Sequence, residues 1–178
     1  IVFVFMCMVY LLPGFASSLA LVIYTGLILV LLNAFDITLT LPGIAGIILG
    51  IGMAVDANVI IFARVKEELT AGKSVKSALN AAFNKAMSAI LDGNITTLIA
   101  AAVLWLKGSG TVKGFAQTLA LGIVVSMFTA LVITRMIVYA FYAVGIRNTK
   151  LYGRIKEESA PIDFLGKRKI FFAVSVVV

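Results

Sequence analysis

Two carboxylates stand where few chains place one. Asp56 interrupts the apolar run GIAGIILGIGMAVDANVIIF (43–62), and Asp92 lies in ILDGNITTLIAA (90–101). An ionised Asp at the centre of a spanning helix costs about 2.5–3.5 kcal/mol on insertion scales. Ser or Asn would serve helix packing at lower cost, so what an acid adds is a proton that can come and go. Burial favours the neutral form of a carboxyl and an opposing field or partner the charged form, which makes a buried acid a switch. The chain has no histidine, so proton chemistry near neutrality falls to carboxylates. The plainer reading is a protonated Asp56 hydrogen-bonding between helices. For Asp92 it is an acid near an amphipathic segment, partly wetted or serving in the turn, and for Asp36 a solvated or helix-capping one.

The surroundings of the two acids match. VDANV (55–59) and LDGNI (91–95) are both apolar, Asp, small, Asn, apolar. Asn58 and Asn94 supply amides able to bond a carboxyl in either protonation state, and Thr96 and Thr97 add hydroxyls. Asp56 is 13 residues past Gly43 and Asp92 is 15 before Lys107. At ~1.5 Å per residue both lie ~20 Å below the same surface, which predicts one shared level. Arg135 could be a counter-charge, but it is 21 residues past Gly114, or ~31 Å down, which also suits a snorkelling anchor. Sodium in place of a proton fits the same set of Asp, Asn and Thr oxygens.

The elements that must carry these residues are membrane helices. The 178 residues are 62% hydrophobic and 13% charged, with a mean hydropathy of +1.12. Soluble domains are nearer half apolar and a quarter charged. Lys and Arg exceed acids by seven, and the clustering of that excess reads as membrane topology rather than nucleic-acid binding. Cys7 is the lone cysteine, so no intramolecular disulfide forms. No GxxxxGK[ST], HExxH or Cys/His cluster is present, and no histidine base accompanies a serine or cysteine. Nucleotide-driven motors, metal centres and hydrolases are therefore not indicated, and no enzyme is expected.

Hydropathy predicts helical segments over 1–12, 18–35, 43–62, 87–106 and 115–133 (running on toward 141), with a sixth opening at 170–178. Pro13-Gly14 closes the first and Pro42 opens the third. The basic connections 64–85 and 147–169 are expected on the cytoplasmic side, and 33–42 and 107–114 outside. Within the first basic connection, Val75, Ala78, Leu79, Ala82, Phe83, Ala86 and Met87 form a helical stripe, with Ser74 as N-cap. An amphipathic helix near 74–87 follows, lying either at the cytoplasmic interface or on other protein. Gly43, Gly46, Gly50 and Gly52 predict close packing along the Asp56 helix. The chain opens inside an apolar run without an initiator Met and stops at FFAVSVVV, so both ends read as cut.

TLTLPGIAGIILGIGMAVDANVIIFARVKEEL (38–69), ILDGNITTLIAA (90–101) and GSGTVKGFAQTLALGIVVSMFTALVITR (108–135) resemble the SecD half of the SecDF protein-export family. IDFLGKRKIFFAVSVVV (162–178) resembles the start of a SecF half, as in a fused SecDF. Gly93 departs from the DAN pattern expected there. The resemblance implies an all-α polytopic transmembrane bundle, one half of a resistance-nodulation-division (RND) fold, in a fragment lacking the extracytoplasmic domain. It implies SecD-type helices, second to sixth, over 1–144, a cytoplasmic linker over 145–164, and the first SecF-type helix from 165. It implies a bacterial cytoplasmic-membrane protein that works with the SecYEG channel, SecA and a YidC-type insertase to export preproteins on the proton-motive force. Asp56 would be the proton site and Asp92 its companion in the relay, without organic cofactor or metal. A small-molecule or lipid exporter of the RND type, or a non-catalytic translocon scaffold, is the competing expectation.

Overall fold

The computed structural model describes residues 2–145 and residue 152; the linker and SecF-type segment expected beyond 145 otherwise lie outside them. The described chain is helical throughout. Helix α1 is Val2–Ala34, α2 Leu41–Thr70, α3 Val75–Lys107, α4 Thr111–Phe128 and α5 Thr134–Ala143, with a π-helical segment, Thr129–Ile133, joining the last two. Four helical stretches are long and apolar enough to cross a membrane: Met6–Ala34, Leu41–Thr70, Val75–Lys107 and Thr111–Ala143.

The first two expected segments share α1, but they are not one rod. Leu11 leaves the helical region with φ 51° and ψ −117°. Cys7 Sγ and Ser18 Oγ come within 3.8 Å, whereas eleven residues of straight helix would separate them by ~16 Å. The chain therefore doubles back at Leu11, and Gly14 packs so closely on the Met6 carbonyl that a Cβ there would collide with it. The break falls two residues before Pro13, with Leu12 between them already helical, and the proline ring fits the first turn of the helix that follows.

Helix ends are closed by their own residues. Asp36, at φ 48°, ends α1 while Ile37 N–H donates to Leu32 O at 3.0 Å and Asp36 N–H to Asn33 O at 3.2 Å. This is a Schellman closure, so Asp36 caps through its backbone. Thr40 caps α2, its Oγ1 accepting from Gly43 N–H at 3.2 Å, with Pro42 in the first turn. α2 then runs eight residues beyond the expected end at Phe62 and closes at Gly72, whose φ of 81° favours glycine.

The expected amphipathic helix near 74–87 is present as the first turns of α3, continuous with the fourth span rather than separate from it. Its stripe packs on protein. Val75, Leu79, Ala82, Phe83 and Ala86 are buried against Ile61, Phe62, Val65 and Leu69 of α2. Tyr152 is buried in the same cluster. Glu68, itself buried, draws the junction together by pairing with Lys73 and, at 2.5 Å, with Lys85.

α2 and α4 cross at the centre of the bundle. A Cβ on Gly46 would lie 2.5 Å from Thr118 Oγ1 and 3.1 Å from Phe115 O; one on Gly50 would lie 3.3 Å from Gly122 Cα. Small residues let these backbones meet, which is how helices bind where lipid removes the hydrophobic drive. α1 seats Leu21, Tyr24, Ile28 and Leu32 on this crossing. On its other side, α3 contributes Ala101 to a cluster with Leu119 and Ile123. Large apolar side chains such as Met8, Val30, Ile48, Ile99 and Leu106 remain exposed on the outside, as lipid contact requires.

Candidate functional site

The two acids and the two asparagines divide between opposite sides of their helices. Asn58 is 2% exposed and Asn94 9% exposed, whereas Asp56 and Asp92 are on the surface. Two residues of α-helix turn the chain by about 200°, so residues i and i+2 do not share a face. If Asn58 faces the bundle, Asp56 must face away from it. The expectation that Asn58 and Asn94 solvate the carboxyls is corrected on this ground, and among the described residues both acids stand on the outside of the bundle.

Asn58 has other work. Its Nδ2 donates to Ala54 O at 3.1 Å, and its Oδ1 accepts from Thr134 Oγ1 at 2.9 Å. Thr134 is fully buried and begins α5, directly after the π segment. The bond ties α2 to the point where the fourth span changes its winding. π segments insert one extra residue per turn and are frequent at functional positions. At its start Thr129 is buried with Oγ1 unpartnered, and Tyr24 OH, wedged against Gly50 and Gly122, is unpartnered too. Asn94 Nδ2 donates to its own helix at Ile90 O, 2.7 Å away.

The remaining candidates also lie apart from the carboxyls. Thr96 Oγ1 donates to the Asp92 backbone carbonyl at 2.9 Å and Thr97 Oγ1 to Gly93 O at 3.1 Å, so both hydroxyls serve the backbone of α3. Arg135 donates to Asn80 Oδ1 at 3.2 Å and lies over the Phe83 and Tyr139 rings, which makes it no counter-charge to either Asp. Among the described residues no group of His, Cys, Asp or Glu could hold a metal ion.

What the geometry does assemble is an outward stripe on α2. Ala45, Leu49, Gly52, Asp56 and Ile60 recur at helical spacing and are all exposed. A Cβ on Gly52 would meet nothing within 4 Å, in contrast to Gly46 and Gly50 on the packed side. On α3 a second stripe, Ser88, Ala89, Asp92, Gly93 and Thr96, is likewise exposed, small and polar. Small residues beside an acid suit close approach of another helix, because the bare carboxyl is expensive against lipid. The i, i+2 offset was the signal that Asp56 and Asn58 cannot share a face. Nothing in the sequence announces the π segment or Thr134 as its partner.

Residues 1–144 match the family model described as protein export membrane protein SecD/SecF, C-terminal. The protein translocase subunit SecD of Acidaminococcus fermentans is 52% identical over 149 residues, covering 84% of this chain and 35% of that protein. The Synechocystis subunit SecD is 56% identical over 135 residues, covering 76% of this chain and 29% of its own length. The chain thus spans about a third of these curated relatives. The crystal structure of SecDF from Thermus thermophilus, described as a translocon-associated membrane protein, superposes with a TM-score of 0.84. It is 37% identical, and the match covers 99% of this chain and 24% of that one. SecDF in its super-membrane-facing form gives a TM-score of 0.82 at 37% identity. This all-α, multi-pass membrane chain belongs to the SecD/SecF family of protein export membrane proteins.

Proposed function

We propose that this chain forms part of a proton-driven accessory to the Sec translocon that promotes preprotein export across the bacterial cytoplasmic membrane. The observation that carries the reading is Asp56 on an otherwise apolar outward stripe, one turn from the bare Gly52. In lipid such a carboxyl needs cover. A SecF-type half packed on that stripe would provide it, placing Asp56 at the seam between halves.

In that seam, protonation removes the penalty for close apolar packing and deprotonation restores it. Each charge crossing the field contributes ~2.3 kcal/mol per 100 mV. One proton per step is then enough to bias a two-state rocking of one half against the other, since equilibria of this kind shift over a few kcal/mol. The Asn58–Thr134 bond holds α2 to α5 so that the stripe moves with its half. Asp92, on the neighbouring stripe, serves as the second carboxyl of the relay. The partners on this reading are SecYEG, SecA, a YidC-type insertase and the preprotein itself, with no organic cofactor.

The test is export of a preprotein into inverted vesicles carrying the full-length protein, under separately imposed proton and sodium gradients. A proton gradient should accelerate late export, and Asp56→Asn should remove that acceleration without loss of protein level. Acceleration by sodium alone would reassign the ion. Unchanged acceleration in Asp56→Asn would leave a scaffold.

A further inference from the structure

At the end of the bundle where α3 begins lies an open surface cavity of about 650 Å³, lined by Ser74, Lys76, Ser77, Asn80, Arg135, Met136 and Tyr139. Two of its walls are cationic and none is acidic. Arg135 is held in place: its Nη2 donates to Asn80 Oδ1 at 3.2 Å, and its guanidinium lies 5.7 Å from the Phe83 ring and 5.8 Å from that of Tyr139. Among the described residues, the glutamates of this end are already engaged. Glu67 pairs with Arg64, and Glu68 with Lys73 and Lys85. Among the described residues, Lys76 and Arg135 therefore carry positive charge that no carboxylate neutralises.

The chemistry of such a cavity is that of a phosphate group. A fixed guanidinium presents a planar fork of donors, an ammonium adds a point charge, and two serine hydroxyls add donors. Ser74 stands at the N-cap of α3 but makes no capping bond with its side chain, so its hydroxyl is uncommitted. The position selects the source of the phosphate. Positively charged connections mark this end as the cytoplasmic face. From Arg135 the exposed surface of the fourth span continues into Met136, 67% exposed, and Val132, 41% exposed. A soluble anion would gain nothing from that apolar track, whereas a lipid would lay a chain along it.

We propose that this cavity binds the headgroup phosphate of an anionic phospholipid of the inner leaflet, with an acyl chain along Met136 and Val132. The site is separate from Asp56 and does not depend on proton coupling.

Native mass spectrometry of the full-length protein, released from nanodiscs of mixed phosphatidylglycerol and phosphatidylcholine, tests it. The wild type should retain phosphatidylglycerol in preference to phosphatidylcholine. Lys76 and Ser77 are both exposed and bear no packing, so variants there keep the fold. Lys76→Gln should weaken the preference about fivefold, the effect of one cation at an anionic surface. Ser77→Asp, which places a carboxylate in the cavity, should abolish it. Millimolar inorganic phosphate should not displace the retained lipid. Equal retention of the two lipids would overturn the proposal, as would a wild-type preference in both variants. Displacement by inorganic phosphate would make it a soluble-anion site and overturn the lipid assignment.

Discussion

Tyr24 and Gly50 meet at the crossing of α1, α2 and α4, and together they make a quantitative test of the packing. The Tyr24 ring is fully buried and its hydroxyl has no partner. An unpaired buried hydroxyl costs about 1–3 kcal/mol, so Tyr24→Phe should be neutral or stabilising. A Cβ on Gly50 would stand 2.5 Å from that hydroxyl oxygen, and next 3.3 Å from Gly122 Cα. Gly50→Ala alone should cost about 1–3 kcal/mol through overpacking, less the ~0.5–1 kcal/mol that alanine gains in a helix. Removing the oxygen leaves only the milder approach to Gly122. The Tyr24→Phe background should therefore restore most of the loss, with a coupling energy of about 1–2 kcal/mol, inside the range seen for residues in contact. Reversible unfolding in mixed micelles, run on the wild type, both single variants and the double, measures the cycle. Additivity within ~0.5 kcal/mol would refute the wedge, as would a Tyr24→Phe variant less stable than the wild type by more than ~1 kcal/mol.

Four further outcomes follow from contacts elsewhere. Gly46→Ala, whose Cβ would press on Thr118 Oγ1 and the Phe115 carbonyl, should lower stability by about 1–2 kcal/mol. Gly52→Ala meets nothing within the described helices, so it should leave their folding intact in the same micelle assay yet slow export where a second half covers the stripe. Thr134→Val deletes the donor to Asn58 Oδ1 and should cost about 1–2 kcal/mol, a little above the usual interhelical bond in membranes because a buried acceptor is left bare. Lys85→Glu puts a second acid against the buried Glu68. It should lower the unfolding midpoint more than Lys85→Gln does, with the gap narrowing in high salt.

Much of the fold was legible because membrane helices are specified by composition. The apolar runs, Pro42 and the 75–86 stripe mark where helices lie, and the small residues of α2 mark a close crossing. Lengths were less legible. α2 and α3 run past their apolar stretches because Glu68, Lys73, Lys85 and the stripe pack on protein, which hydropathy cannot register. Asp36 closes α1 through a left-handed backbone that its side-chain type permits but does not demand. At the site, residue types were legible and directions were not. VDANV looks like a single polar nest when read as a string. On a helix, its Asp and Asn point to opposite sides, and only Asn58's bond to Thr134, 76 residues on, fixes which of them faces inward.

The proposed role of Asp56 is tested most directly by proton flux measured beside export. Proteoliposomes holding the full-length protein with the translocon, loaded with a pH indicator, report protons crossing while a preprotein is moved. With wild-type protein, proton entry should rise when preprotein is in transit; with Asp56→Asn, both the extra flux and the gradient-dependent export should disappear. Asp56→Asn vesicles that still pass protons and move preprotein at the wild-type rate would contradict a charge switch at that residue.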